Sequence, residues 1–388
     1  MGFFNRPVET MPREHLQAYQ LEKLQQMLAQ IHGRNRFYTH KLNQANASPL
    51  DIHTLADFYQ LPFTTKTELI QAQADDPPFG LNATFPESAY TRFHQTSGTT
   101  GKPLRVVDTA ASWEWWGDCW GYVLAGAGIT AADRLFLPFS FGPFIGFWAA
   151  VLGAKRRGAL LVSGGGLSSL QRLHTMRDLQ ATAMCCTPTY ALRLAEVARE
   201  QQFDISDIPL RITVHAGEPG ANIPATKKRI EEIWGVKCYD HAGASEVGAY
   251  SFECEAQPGA VHAIESEFII EVINPETGDH VADGQTGELV ISNLGRIGYP
   301  IIRYRTGDLV QFISQPCDCG RTFGRFQGGI IGRADDMVVV RGINVYPSAV
   351  ENLVRQFAEV DEFRVQIIKR QEMAELTLEV ELADGTDA

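Results

Sequence analysis

The chain has 388 residues, 44% hydrophobic and 21% charged, the proportions of a globular protein long enough for one large domain and a smaller one. Its formal net charge of −12 argues against nucleic acid as a partner, because a phosphate backbone demands clustered Lys and Arg. The longest apolar run, 144-FIGFWAAVLGA-154, is too short to cross a bilayer, and MGFFNRPVET lacks the features of a secretory leader. Seven scattered cysteines do not make a disulfide framework. A cytoplasmic protein with reduced thiols and no membrane partner is the expectation, with assembly as a homodimer.

In chain order, residues 13–31 place Leu16, Tyr19, Leu24, Met27, Leu28 and Ile31 at helical spacing, which predicts an amphipathic helix. The stretches 61-LPFTTK-66 and 75-DDPPFG-80 read as surface connections. The pairs 90-YTRFH-94 and 104-LRVVD-108 read as strands around a glycine-rich tip. Beyond them, β-rich runs at 134–139, 159–163 and 211–217 alternate with helical patterns at 168–180 and 189–202. That alternation predicts an α/β layered core with a largely parallel sheet. From about 259 the pattern turns to strands, 274-NPETGD-279 marking a hairpin connection. The run 336–354 reads strand, turn, strand, then a helix opened by Pro347, and strands follow near 362–370 and 374–382. The expected fold class is α/β: a large layered N-terminal domain, 1–331, with a β-rich subdomain at 259–331, then a small, incomplete α+β domain, 332–388.

The tip 94-HQTSGTTGKPLRV-106 suggests a Walker A loop but does not fit one. Only two residues separate Gly98 from Gly101, Lys102 precedes proline, and no helix follows to face a phosphate. The chemistry still suits an anion: Gly98 and Gly101 let backbone N–H groups converge, Ser97, Thr99 and Thr100 add hydroxyls, and Lys102 adds a cation. On spacing alone, an ordinary glycine–threonine hairpin fits equally well. Two other motif matches fail: 243-GASEVG-248 misplaces the second glycine of a nucleophile elbow, and 126-GAGITA-131 leads into a strand rather than the helix of a dinucleotide site.

Taken together, TSGTTGKP, 241-HAGASEVG-248, 304-YRTGD-308 and 332-GRADDMVVVRGINVYPSAVE-351 resemble, in order, four elements of the adenylate-forming superfamily of acyl-CoA synthetases. With 60-QLPFTTK-66, 185-CCTPTY-190 and 215-HAGEP-219, the chain is most similar to the phenylacetate–CoA ligase branch. The resemblance implies an ATP-dependent, AMP-forming ligase that activates a carboxylic acid, aromatic in this branch, and transfers it to coenzyme A. Transfer to a carrier-protein thiol, or silent binding of nucleotide or acyl group, are its alternatives.

The resemblance also assigns roles. Ser97, Gly98, Thr99, Thr100, Gly101 and Lys102 would cradle the β- and γ-phosphates, Ser245 would sit at the α-phosphate, and Glu246 would ligate Mg²⁺. Asp308 would accept from the ribose hydroxyls, Arg333 would contact the nucleotide, and Gly217, Glu218 and Pro219 would flank adenine beside Asp240, His241, Ala242 and Gly243. Asp335 matches the hinge about which the small domain swings. Ala242 stands where the superfamily has a stacking tyrosine, with His241 or Tyr239 to compensate. By analogy Phe139, Phe141, Phe144 and His215 would wall the acyl slot, while 113-WEWW-116 reads as core. No residue matches the superfamily's C-terminal lysine, and a truncated ligase is the expected reason. Separately, Cys317 and Cys319, with Cys254 and His262, supply a Cys₃His set for structural Zn²⁺, a pattern that resembles zinc-bound relatives in the same branch. The remaining cysteines, 119, 185, 186 and 238, read as buried, inert thiols.

Overall fold

The computed structural model describes residues 2–96, 102–334, 338–340, 343–345, 347–354, 357, 359–370 and 373–382. The first long helix spans Arg13–Ile31, and Leu16, Leu24, Met27, Leu28 and Ile31 are buried as their spacing dictates. Tyr19 is only half-buried beneath the Lys23 ammonium; Gln20 takes the inward place, its amide donating to the carbonyls of Glu265 and Phe268 at 2.8 and 2.9 Å. A buried amide with both carbonyls in reach costs nothing that a leucine would save, and it fixes the helix against the β-rich part.

Five parallel strands form the α/β core in the spatial order Leu160–Ser163, Arg134–Leu137, Ala183–Cys186, Ile212–His215, Lys237–Asp240. Of the three inner strands, Ala183–Cys186 and Ile212–His215 are buried throughout and Arg134–Leu137 in all but its first residue, as a sheet covered on two faces requires. Their helices are started by explicit caps: Ser168 with Gln171 makes a capping box for Ser169–Asp178, and Thr187 caps Pro188–Glu200 with proline at the first turn. The strand order reverses between Arg134–Leu137 and Ala183–Cys186. A crevice therefore opens beyond the C-terminal ends of the strands.

The helix Ala110–Gly126 joins this sheet to the rest. Trp116 and Trp120 are almost wholly buried there, each withdrawing apolar surface worth at most about 4–6 kcal/mol. Its neighbour Ala150–Arg157 packs very close: a Cβ on Gly117 would lie 2.7 Å from the Leu152 Cβ, and one on Gly153 2.6 Å from the Trp120 Cβ. Beyond the helix lies an antiparallel sheet ordered Ser251–Glu253, Ala260–Ala263, Arg325–Gln327, Tyr304–Ile313, Thr286–Asn293, Phe268–Ile273, with Gly332–Arg333 pairing along Tyr304–Ile313. The turn at 274–279 brings His280 back against Ile273, as the sequence predicts.

Tyr90–Gln95 and Arg105–Thr109 pair as an antiparallel hairpin, and the backbone N–H of Gln95 donates to the Pro143 carbonyl at 2.7 Å, tying it to the crevice rim. At the C-terminal end, Val338–Val340 pairs with Ile343–Val345, the helix Pro347–Val354 follows, and Val360–Arg370 pairs with Met373–Leu382. Leu353, Phe357, Leu378 and Val380 are exposed there. No helix among the described residues is long and apolar enough to cross a membrane.

Candidate active site

Three adjoining cavities occupy the crevice. One of about 450 Å³ is lined by Gly217, Asp240, Tyr250, Asp308 and Arg333 among others. A second of about 440 Å³ is walled by Trp116, Trp120, Phe139, Phe144 and Phe147 and reaches Ser245 and Glu246. A third of about 430 Å³ lies between Lys66, Glu246, Tyr304 and Arg333. Gly217, His241 and Gly243 separate the first two; Lys66 and Glu246 border the last two. Phe139, Thr187, Ala216, Gly217 and His241 each stand just beyond the C-terminal end of a parallel strand.

The charged groups come from the other wall. Asp308 and Arg333 face each other across the Tyr304–Ile313 and Gly332–Arg333 strands, with a guanidinium–carboxylate contact of 3.2 Å. Burial pushes the Asp308 carboxyl up to about 6, against the pull of Arg333. Gly307 has φ +76°, and a Cβ there would lie 2.7 Å from Arg333 Nη2, so glycine alone lets the arginine lie over the turn. Glu246 is buried, accepts from the Tyr304 hydroxyl at 3.0 Å, and has the Lys66 ammonium 3.9 Å away. Asp240 is raised to about 7 by burial and by Glu253, with Lys227 opposing.

Two supports hold these walls in register. Asn222 accepts from Gly220 N–H and donates to the carbonyls of Gly328 and Ile330, joining opposite sides of the Asp308 cavity. Arg296, wholly buried, forms a two-point pair with Asp108 at 2.7 and 2.7 Å and donates to the carbonyls of Ser245 and Glu246 at 2.8 and 3.0 Å. Asp108 lies on the returning strand of the hairpin, so one guanidinium couples that hairpin to the Ser245–Glu246 turn.

The expected residues divide as follows. Gly217, Glu218, Pro219, Asp240, His241, Ala242, Gly243, Asp308 and Arg333 line one cavity. Phe139, Phe144, Ser245 and Glu246 line its neighbour. Two expected pocket residues stand outside these linings. His215 is fully buried within its strand, its ring held on the Cys186 carbonyl at 3.0 Å and kept neutral by burial, which lowers it to about 4. Phe141 stands edge-on to Phe139 and Trp148 and lines none of these three cavities. Lys102 is exposed and lines none of the three either. Ser97, Gly98, Thr99, Thr100, Gly101 and Asp335 lie outside the described residues. Where Ala242 leaves room, Tyr250 and His241 are the rings at the cavity; Tyr239 faces Lys227 instead. The helix expected to be core supplies Trp116 to the aromatic wall as well. Tyr250, Lys66 and Arg296 are the residues that the motifs alone do not single out, although Lys66 lies within a matched block and Tyr250 beside one.

The cysteine cluster is separate. Ligand atoms of Cys254, His262, Cys317 and Cys319, all buried, lie within 4.8 Å of one another. Cys254 and Cys317 sulfurs are 3.8 Å apart, the edge of a tetrahedron with metal–sulfur bonds of about 2.3 Å. His262 donates through Nδ1 to the Phe323 carbonyl at 3.0 Å, leaving Nε2 facing Cys319 at 3.5 Å. Arg321 donates to the Cys319 sulfur and pairs with Glu9, both buried. This donor set fits a tetrahedral soft-ligand ion. Cys119, Cys185, Cys186 and Cys238 are buried, and burial pushes their thiols up.

Residues 19–296 match the family described as AMP-binding enzyme. The chain is 35% identical over 378 residues to a phenylacetate–coenzyme A ligase of Thermus thermophilus, covering 96% of this chain and 83% of that one. It is 32% identical to the Escherichia coli phenylacetate–coenzyme A ligase, over 98% and 85% of the two chains. Among solved structures it is similar to 2-hydroxyisobutyryl-CoA ligase in the postadenylation state, with TM-score 0.92, 32% identity and coverage of 98% and 81%. Against the same ligase in its thioesterification state the TM-score is 0.82, at 33% identity over 98% of this chain and 81% of that one.

Proposed function

Since the chain belongs to the AMP-binding enzyme family, in its phenylacetate–coenzyme A ligase branch, we propose that this acid–CoA ligase activates an aromatic-sized carboxylic acid. The reaction runs in two halves. A carboxylate attacks the α-phosphorus of ATP to give an acyl-adenylate and pyrophosphate, and the CoA thiol then displaces AMP. The protein's work in the first half is to hold three partners in line and neutralise phosphate charge. The observation that carries this reading is the junction at Gly243–Glu246, where a polar cavity, an aromatic one and the Glu246 carboxylate adjoin.

In this reading the nucleoside lies in the cavity of Asp308, whose ionised carboxylate accepts from both ribose hydroxyls while Arg333 steadies it. Gly217, Glu218 and Pro219 flank the base, with Tyr250 as its ring neighbour. Ser245 meets the α-phosphate, and the backbone groups of Ser97–Lys102 take the outer phosphates. Glu246 suits Mg²⁺: a carboxylate with one oxygen held by Tyr304 retains a second for a hard cation that also takes phosphate oxygens. That ion would supply charge neutralisation; the chain's part is to fix the carboxylate. The Cys₃His set would hold a structural Zn²⁺. Residues 332–388 would move as the smaller domain about Asp335.

The test combines acid-dependent pyrophosphate exchange with CoA thioester formation over a panel of aryl acids. Exchange and thioester with at least one acid is expected. Tight ATP binding without exchange for any acid would overturn the reading, and exchange without thioester would move the acceptor from CoA to a carrier thiol.

A further inference from the structure

His241 stands at the end of the strand Lys237–Asp240, its N–H continuing the parallel ladder to the His215 carbonyl at 2.9 Å. Successive side chains of an extended segment point to opposite faces, so Asp240 and His241 part company. Asp240 lines the cavity of Asp308 and not the aromatic one, whereas His241 borders both. The His241 ring turns toward the helix Ala110–Gly126 and packs edge-on against Trp120, centroids 4.7 Å apart. Trp120 walls the aromatic cavity and not the polar one.

The tautomer of this ring is fixed by its surroundings. Nδ1 lies 2.6 Å from the Ser251 carbonyl oxygen, which can only accept, so Nδ1 carries the proton. Burial holds the ring neutral, pushing it down to about 4. Nε2 is then a bare acceptor. It has no partner among the described residues, lies 3.4 Å from where a Cβ on Gly243 would stand, and is not among the polar atoms sealed from solvent. The residue is nevertheless 96% buried, its exposure being 4%, so no bulk water competes freely for that lone pair. The cavity that Trp120 walls is also lined by Trp116, Phe139 and Phe147, and by the polar Lys66, Gln95, Thr96, Thr187, Ser245 and Glu246. An acceptor left bare in a largely aromatic slot discriminates strongly, because an occupant without a donor strips its water and returns nothing.

We propose that His241 makes the acyl cavity select carboxylic acids that carry a hydroxyl or amino donor over acids of the same shape that lack one. The inference rests on the ligase reading above and adds the substrate class to it. His241 is a specificity determinant here, touching the acid rather than the reacting atoms.

The experiment uses matched acids: ortho-, meta- and para-hydroxyphenylacetate against the corresponding methylphenylacetates, with thioester formation measured for the natural chain, His241→Leu and His241→Gln. For one ring position at least, the natural chain should favour the hydroxy acid about 10- to 100-fold in kcat/KM. His241→Leu should bring that ratio to near 1 whatever its absolute rate, and His241→Gln, which keeps an acceptor, should retain part of it. Methyl acids preferred at all three positions overturn the proposal. So does an unchanged ratio in His241→Leu accompanied by a raised KM for ATP, which would assign the acceptor to the nucleotide. Calorimetric titration of the same pairs decides the matter without turnover: hydroxy acids should bind at least about tenfold tighter. Equal binding sinks the selectivity, whereas binding with the expected preference but no turnover sinks only the ligase reading.

Discussion

The two walls of the crevice are built differently. The parallel-sheet wall presents what lies just past strand ends: backbone at Gly217, aromatic faces at Phe139 and Phe144, the His241 ring. The antiparallel wall presents charge at Glu246, Asp308 and Arg333, and it does so on a lattice of ion pairs, Arg296–Asp108 and Arg303–Glu271 buried and Arg305–Glu288 half-buried. Shape can be supplied by packing alone. Charge at the edge of a buried sheet needs counter-charge beneath it, or its desolvation would unfold the edge. Removing one charge of that lattice should therefore cost more than reshaping the aromatic side.

Arg296→Met tests the charged wall most severely. It strands Asp108 at zero exposure and frees the Ser245 and Glu246 carbonyls, so unfolding free energy should fall by about 3–5 kcal/mol, read by urea denaturation. Asp108→Asn in the same background should recover part of the loss by removing the stranded charge. A loss below about 1 kcal/mol would show that the two walls are held alike.

Asp308→Ala comes next, with KM for ATP raised about 10- to 100-fold and folding little changed, since losing charge-assisted hydrogen bonds costs about 1.5–3 kcal/mol of binding. Its pH dependence has a definite sign. The carboxyl is raised to about 6 and accepts through both oxygens only when ionised, so ATP affinity should weaken as pH falls through about 6 and level off above 7. Affinity that rises on acidification would contradict the ribose role.

The cysteine cluster sharpens the contrast from outside the crevice, because it is a third way of holding charge. One zinc per chain is expected by elemental analysis of protein purified without chelator, and Cys254→Ser with Cys319→Ser should abolish it. Metal loss should lower Tm by about 2–4 °C, equivalent to about 2–3 kcal/mol in a chain of this size. Turnover per folded molecule should stay within about twofold, since the cluster stands apart from the crevice.

The smallest effect belongs to the parallel wall's side of the molecule. Ser168→Ala removes a helix cap remote from the charged lattice and should cost about 1 kcal/mol of stability with kcat unchanged.

Much of this arrangement was legible beforehand. The hairpin around residues 97–102 followed from the failure of the Walker pattern and the strand-like flanks, and it pairs from Tyr90 to Thr109. Alternating short strands and helices gave the parallel core, and the 336–354 pattern gave strand, strand and helix. The strands Ala183–Cys186 and Lys237–Asp240 were missed as sheet members, because runs of four residues carry too little pattern. His215 and Phe141 failed for another reason. Proximity along the chain to a pocket motif says nothing about which way a side chain turns at a strand end, and both turn into packing. Tyr250, Lys66 and Arg296 act through partners 50 or more residues away or across a sheet, and such pairings are set by tertiary register rather than by local sequence.

The placement of the aromatic wall has a practical outcome. Phe139, Phe144 and Ala216 lie beyond the ends of the parallel strands, and His241 joins the ladder only through its backbone N–H, so exchanging these side chains leaves the sheet's interior pairing alone. Choice of acid and ability to fold are thus written in different places. A library confined to those four positions should yield altered acid preference among variants that melt close to the parent.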